Sequence, residues 1–258
     1  MSMIKEIKKV ESVVELHNWE NMPKDRDIYL YKILPYKYLL DWIYKSTMQF
    51  NQVSSWDDVY ELFLFKQNYI DKNSTPINFK AASMAIYGQS WSLLRDSEAL
   101  WRIYSPDKLS VRIKTTYEKL KEVLENGNTI SQHIKPYLGK VEYLKKNLIM
   151  DRLENIYLKN IFTEQNIVDS LFVKRDSFMY EKEVRVILWQ ENDVNSQIPN
   201  PYVHINVRPA DFIKEVAFDY RLEDGLYTSL KSVLQVMLPK VRVQKSTLGI
   251  INTNTYTI

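Results

Sequence analysis

Two spacings of apolar residues recur along the chain. Residues 28–34 (IYLYKIL) alternate and are rich in β-forming types, which predicts a strand. Pro35 stops it and suits the first turn of a helix, and Leu39, Leu40, Ile43 and Tyr44 then follow at helical spacing, predicting a helix over 36–45. A short strand is expected near 48–50, and a helix opened by Asp57 and Asp58 and running toward Ile70. A polar loop over 71–80 leads to a strand over 85–92. Ser97 is the expected N-cap of a helix ending near Tyr104, followed by a strand over 109–114 and a helix over 115–125 that stops at Asn126-Gly127-Asn128. Strands are expected over 139–144, 183–189, 203–207, 212–218 and 240–244, with helical segments over 145–170 and 226–238. The clearest of these patterns is EVRVILW at 183–189. Residues 1–26 read as an amphipathic helix ending in a polar turn at 22–25.

Strands and helices that alternate irregularly predict an α+β fold, a single domain over 1–258 with a mixed or split β-sheet flanked by helices, in place of a regular parallel α/β sheet. Within it, 1–26 is a helical appendage and 27–248 the core. A chain of 258 residues suits one hydrophobic core, and no repeat or long linker divides it.

Composition narrows the chemistry. With no cysteine, the chain has no disulfide, no thiolate nucleophile and no cysteine-bound zinc, which fits a reducing compartment. The three histidines, His17, His133 and His204, are far apart in sequence and form no metal motif, so no metal site is expected. Five glycines supply no Gly-rich phosphate loop. The first residues are broken by charge before an apolar run develops, and no apolar stretch reaches the ~20 residues that span a bilayer, so a cytoplasmic protein without membrane contact is expected. A net charge of +3 permits contact with nucleic acid without demanding it. The 18 tyrosines and 6 tryptophans offer rings for core packing or for stacking on bases and nicotinamide. Trp101 and Tyr104, three apart on a predicted helix, are expected to pack together in the core.

Four blocks stand in order: IYLYKIL, WDDVYE at 56–61, QSWS at 89–92 with ALWRIYS at 99–105 close behind, and FVKRDSFMYEKEVRVI at 172–187. The series resembles a bacterial family of unknown function whose members carry LYxY, FNDPxE, WxxY and KRxxFxxExExR blocks. The resemblance runs from about residue 28 to about 248, and its last block is the most specific part. Where that family has Asn-Asp-Pro, this chain has Asp57-Asp58-Val59, so the turn there is built differently. The resemblance implies a bacterial or phage-borne protein of the kind found near phage-defence loci.

More distantly, the order of motifs resembles ADP-ribosyltransferases, which use a polar or aromatic residue on a first strand, Ser-x-Ser on a second and Glu-x-Glu on a later one. The matching residues are Tyr29 and Tyr31, then Ser90, Trp91 and Ser92, then Glu181 and Glu183. The first strand has Tyr31-Lys32 where many such enzymes have Arg or His. The resemblance implies NAD as substrate. Breaking the nicotinamide–ribose bond develops oxocarbenium character, which a fixed carboxylate stabilises. Glu183 is the expected carboxylate, and Glu181, on the same side of an extended strand, would orient or deprotonate the acceptor. Tyr31 or Trp91 would stack on the nicotinamide, with Tyr29 a further cofactor-binding candidate; Ser90 or Ser92 would hydrogen-bond the cofactor, and Lys174 and Arg175 would meet its pyrophosphate. The implied role is a toxin-like effector modifying a nucleic acid or a protein, with an antitoxin or regulatory partner.

Other readings of the same residues stay open. Glu181, Lys182, Glu183 and Arg185 also fit a solvated strand face, and Trp91 a core position. Asp57, Asp58 and Glu61 fit either the acidic first turn of a helix or, with Glu181 and Glu183, a magnesium-dependent nuclease site. A non-catalytic module binding nucleic acid or protein through aromatic and basic surface is the third possibility.

Overall fold

A computed structural model describes residues 14–16, 28–77, 83–126, 134–157, 163–190 and 200–250. In chain order it begins with β1 (Val14–Leu16), β2 (Tyr29–Pro35), α1 (Tyr36–Lys45) and β3 (Thr47–Gln52). The hairpin β4 (Tyr69–Ile70) and β5 (Pro76–Ile77) precedes β6 (Ile86–Ser92), α2 (Glu98–Tyr104), β7 (Ser110–Thr116) and α3 (Tyr117–Asn126). Then come β8 (Ile134–Lys140), β9 (Glu142–Leu144), α4 (Lys146–Arg152), a π-helical turn (Leu153–Tyr157) and α5 (Glu164–Ser170). The chain continues through β10 (Val173–Arg175), a 3-10 helix (Asp176–Glu181), β11 (Glu183–Gln190), β12 (Tyr202–Asn206) and α6 (Pro209–Phe212). It closes with β13 (Glu215–Phe218), α7 (Asp224–Met237) and β14 (Arg242–Lys245).

The chain forms two compact units. The first comprises residues 1–26, 48–90 and 120–206. Its strands lie in the order β1, β8, β11, β6, with β3 on β6 and β12 on β3. The set is mixed: β1 runs parallel to β8, while β11 is antiparallel to β8. Val184, Val186, Ile187 and Leu188 of β11 are all buried, the near-continuous apolar burial of a strand covered on both faces. Ile187 joins Val53, Leu62 to Leu64, Tyr137 and the α5–β10 residues Ile167, Val168, Leu171, Phe172 and Val173 in one core. The second unit comprises 27–47, 91–119 and 207–258. Here β2, β7, β13 and β14 lie in order, antiparallel except for the parallel β13–β14 pair. The structure is thus α+β with mixed strand directions and flanking helices, as the irregular alternation implies. Among the described residues no helix is long and apolar enough to cross a membrane.

Most elements fall where the periodicity puts them. The helix over 36–45 and the strand at β11 match closely, and Ser97 caps α2 by accepting from the Leu100 N–H. The differences have local causes. Residues 57–66 form turns with no helix, because the Asp58 carboxylate takes the Tyr60 N–H at 3.0 Å, an Asx-type bond that competes with helix closure. Leu62, Phe63 and Leu64 are also buried consecutively, which one helix face does not allow. The expected strand over 139–144 is split at Val141, whose N–H turns to the Glu183 carbonyl, so that β9 pairs with β10 instead. In the segment expected to be an N-terminal helix, Val14–Leu16 is a strand paired with β8. The rest of 1–26 lies outside the described residues, as do His17 and His133. Trp101 is fully buried while Tyr104 is 45% exposed, so the two do not share a core face.

Candidate active site: a buried carboxylate cluster

The candidate site in the first unit begins with the parallel pairing of β9 and β10, which sets Tyr143 opposite Lys174. The 3-10 helix then carries the chain from Arg175 to Glu181, and Lys182, with φ of 43°, turns it in left-handed conformation into β11. This sharp turn aims both Glu181 and Glu183 at one point. The sequence predicts that convergence through an extended strand, but the structure reaches it through a helix end and a turn.

The point of convergence is the Lys174 ammonium. It lies 2.6 Å from Glu181 Oε2, 3.1 Å from Glu61 Oε1 and 3.2 Å from Glu183 Oε2. Arg185, two residues along β11, closes the network. Its Nε donates to Glu183 Oε1 at 2.7 Å, its Nη2 to Glu183 Oε2 at 2.9 Å and to Glu61 Oε1 at 2.8 Å, and its Nη1 to the Leu171 carbonyl. Trp56 lies over the guanidinium at 4.4 Å. The ring reaches that place across Gly88, where a Cβ would sit 2.3 Å from it. Three carboxylates thus meet two cations, leaving one net negative charge where all five side chains are buried. Charges this deep persist only when paired and hydrogen-bonded, as these are.

Protonation follows from the geometry. Burial pushes the Glu183 carboxyl up, but the charge and hydrogen bonds of Arg185, then Lys174 and the Ser90 hydroxyl, outweigh it and hold the group down at about 2. Burial likewise pushes Lys174 down, and Glu183, Glu61 and Glu181 together hold it above its ordinary value. Burial pushes the Tyr143 phenol up to about 12, and its oxygen accepts the Glu183 N–H at 2.8 Å.

Ser90 of β6 reaches the cluster from outside: it is exposed, and its hydroxyl donates to Glu183 Oε1. Arg175 stands apart from the ammonium. It pairs with Asp58 at 3.1 Å and lies over the rings of Tyr60 and Phe178 at 5.0 and 5.2 Å. Of the expected site residues, the first unit brings Ser90, Lys174, Glu181 and Glu183 into one network with Arg175 close by in sequence. Lys174, expected at a pyrophosphate, is committed to three carboxylates. Asp57 is exposed, and Glu61, Glu181 and Glu183 share the ammonium where the nuclease reading would set magnesium. Among the described residues no group of three or more His, Cys, Asp or Glu is disposed to hold a metal ion.

The remaining expected residues lie in the second unit. Tyr31 sits opposite Ser92 in the β2–β6 register and under Arg112 at 5.4 Å. Burial raises its phenol above the ordinary value despite Arg112 and Arg95 nearby. Trp91 is 2% exposed and packs edge-on against Phe212 at 5.8 Å, the core position of the alternative reading. Tyr29 lies beneath the Lys114 ammonium at 3.6 Å. Sequence reasoning offers Glu61 only a metal or capping role and misses Arg185 as the network's second cation. The signal for Arg185 is an arginine two residues from a glutamate on an otherwise mostly apolar strand, a charge that burial obliges to find a partner.

Residues 100–186 match the model of a family described as Protein of unknown function (DUF2971). The expected resemblance to a family of unknown function is met over that stretch, which holds most of the network. No curated protein matches the sequence. The structure is similar to DarT of Thermus sp. 2.9 in complex with NAD+, at a TM-score of 0.39 and 8% identity, covering 87% of this chain and 96% of that one. It is similar also to Thermus sp. 2.9 DarT in complex with ADP-ribosylated ssDNA, at a TM-score of 0.38 and 8% identity, covering 85% and 94%.

Proposed function

We propose that the chain is an NAD-consuming, ADP-ribosyltransferase-like enzyme whose reaction centre is the Ser90–Glu183 pair. The carrying observation is that an exposed serine from one strand donates to a buried, ionised carboxylate at the start of the next. The order Tyr-x-Tyr, Ser-x-Ser, Glu-x-Glu in the sequence supports the same reading. Among the described partners of the Glu183 carboxylate, Arg185 and Lys174 are buried and Ser90 is exposed, so a ribose hydroxyl can take the place of Ser90 or join it at Oε1. The surplus negative charge of the cluster is fixed before substrate arrives, which is what stabilising an oxocarbenium requires. As the C–N bond to nicotinamide breaks, its electron pair leaves with nicotinamide, and a nucleophile on the acceptor closes the new bond to ribose. Glu181 orients that acceptor or takes its proton. An effector role in phage defence, with a nucleic-acid or protein acceptor, follows from the family resemblance of the sequence blocks.

The test measures nicotinamide release from NAD+ by the full chain, with and without single-stranded DNA. Ser90→Tyr fills the exposed approach to Glu183 without entering the buried network. It is expected to abolish release while the chain stays folded, with a modest drop in melting temperature from the lost bond to Glu183. No release by the wild type, or full release by folded Ser90→Tyr, overturns the proposal.

A further inference from the structure

The second unit carries a different concentration of charge. Lys114 of β7 and Lys214, which precedes β13, are joined by a backbone bond from the Lys214 N–H to the Lys114 carbonyl at 2.8 Å. Their ammonium groups lie 3.6 and 5.4 Å from the centre of one ring, that of Tyr29 on β2. An aromatic ring attracts cations, and both ammoniums lie within reach of this one. Arg95, exposed beyond the end of β6, adds a third cation that acts on Lys114 and on Tyr31. Glu215, the carboxylate that acts on Lys114, bonds Arg112 at 2.9 Å. Burial first, and then the charges of Arg95, Lys214 and Arg112, push the Lys114 ammonium below its ordinary value, while Glu215 pulls it up. Cations gathered against their own repulsion are stabilised by a compact anion, and lysine serves as a point-charge phosphate ligand.

We infer that Lys114 and Lys214, held over Tyr29 and assisted by Arg95, form a binding site for the phosphate groups of a nucleotide. The site stands on the second unit's own residues and does not depend on the transferase reading. The phosphate belongs either to a free dinucleotide or nucleotide diphosphate, or to a nucleic-acid strand, and the two are separable by experiment.

Calorimetric titration of the full chain at low salt uses inorganic pyrophosphate in one arm and a short single-stranded oligonucleotide in the other. The wild type is expected to bind at least one. Lys114→Gln and Lys214→Gln are each expected to weaken that binding about tenfold, and Lys37→Gln, on α1, to leave it unchanged. Binding should weaken as salt rises, with a smaller slope in the variants. Tight pyrophosphate binding assigns the site to a free diphosphate, and binding of the oligonucleotide alone assigns it to a strand. Lys214 is exposed, so Lys214→Gln keeps its fold even if Lys114→Gln does not. Binding by folded Lys214→Gln equal to wild type, or binding of neither probe by the wild type, overturns the inference.

Discussion

The hydroxyl of Ser90, exposed on β6, donates to the carboxylate of Glu183, which is 3% exposed and also held by Arg185 and Lys174. One residue therefore couples a buried electrostatic network to solvent, and its partner is the hub of that network. Roles in stability and in chemistry meet at Glu183 and can be separated by experiment.

Acid should unfold the first unit through Glu183. Its carboxyl titrates at about 2 in the folded state against an ordinary 4.5. A depressed folded value means the stabilisation is complete above the unfolded value and is lost as pH falls from about 4.5 toward 2. The stabilisation lost is on the order of 3 kcal/mol. Urea unfolding between pH 6 and pH 2.5 should show that decline, and a folded Glu183→Gln variant should show a visibly shallower one. Identical pH profiles would remove Glu183 as the group responsible.

Removing the central cation should cost more than removing an exposed one. Lys174→Met leaves Glu61, Glu181 and Glu183 facing each other with Arg185 alone, and breaking a buried ion network in this way costs about 3–5 kcal/mol. Adding Glu181→Gln to Lys174→Met should recover part of the loss, since it removes one uncompensated charge. A double-mutant cycle on denaturant midpoints checks this, and strict additivity would show that the two groups do not interact.

Gly88→Ala should act through Trp56. The new Cβ would meet the indole at 2.3 Å, so the ring must leave its place over Arg185. A loss of about 1–3 kcal/mol is expected for such overpacking. Wild-type stability in this variant would mean that Trp56 moves without cost.

Trp101→Phe tests the network of the second unit. The indole Nε1 donates to Asp96 Oδ1 at 2.7 Å, and Asp96 also holds Arg112 and Ser246. Phenylalanine fills most of the space but leaves that carboxylate oxygen without its donor, which costs about 1.5–3 kcal/mol for a bond to a charged group. Thermal unfolding with matched heat capacities measures it, and a change within a few tenths of a kcal/mol would show that water replaces the indole.

The sequence by itself determined the local elements and the outline of the chemistry. The short β-branched and apolar run at 183–189, a helical stripe bounded by Pro35 and a serine cap at Ser97 each encode structure in neighbours, so their strand and helices are legible without tertiary contacts. The same holds for the pairing of Ser90 with Glu183 as candidates, because the motif order sets both at strand positions. What only tertiary structure decided is which charges meet. Lys174 is basic in any reading of the sequence, but whether it faces phosphate or carboxylate depends on β9 and β10 pairing and on the turn at Lys182. Glu61 lies 113 and 124 residues before its two cations and enters the network because Asp58 bends the chain into turns where periodicity predicts a helix. Apolar spacing records burial, which acts residue by residue. Ion pairing acts through space over a few ångströms, and the fold alone sets those distances.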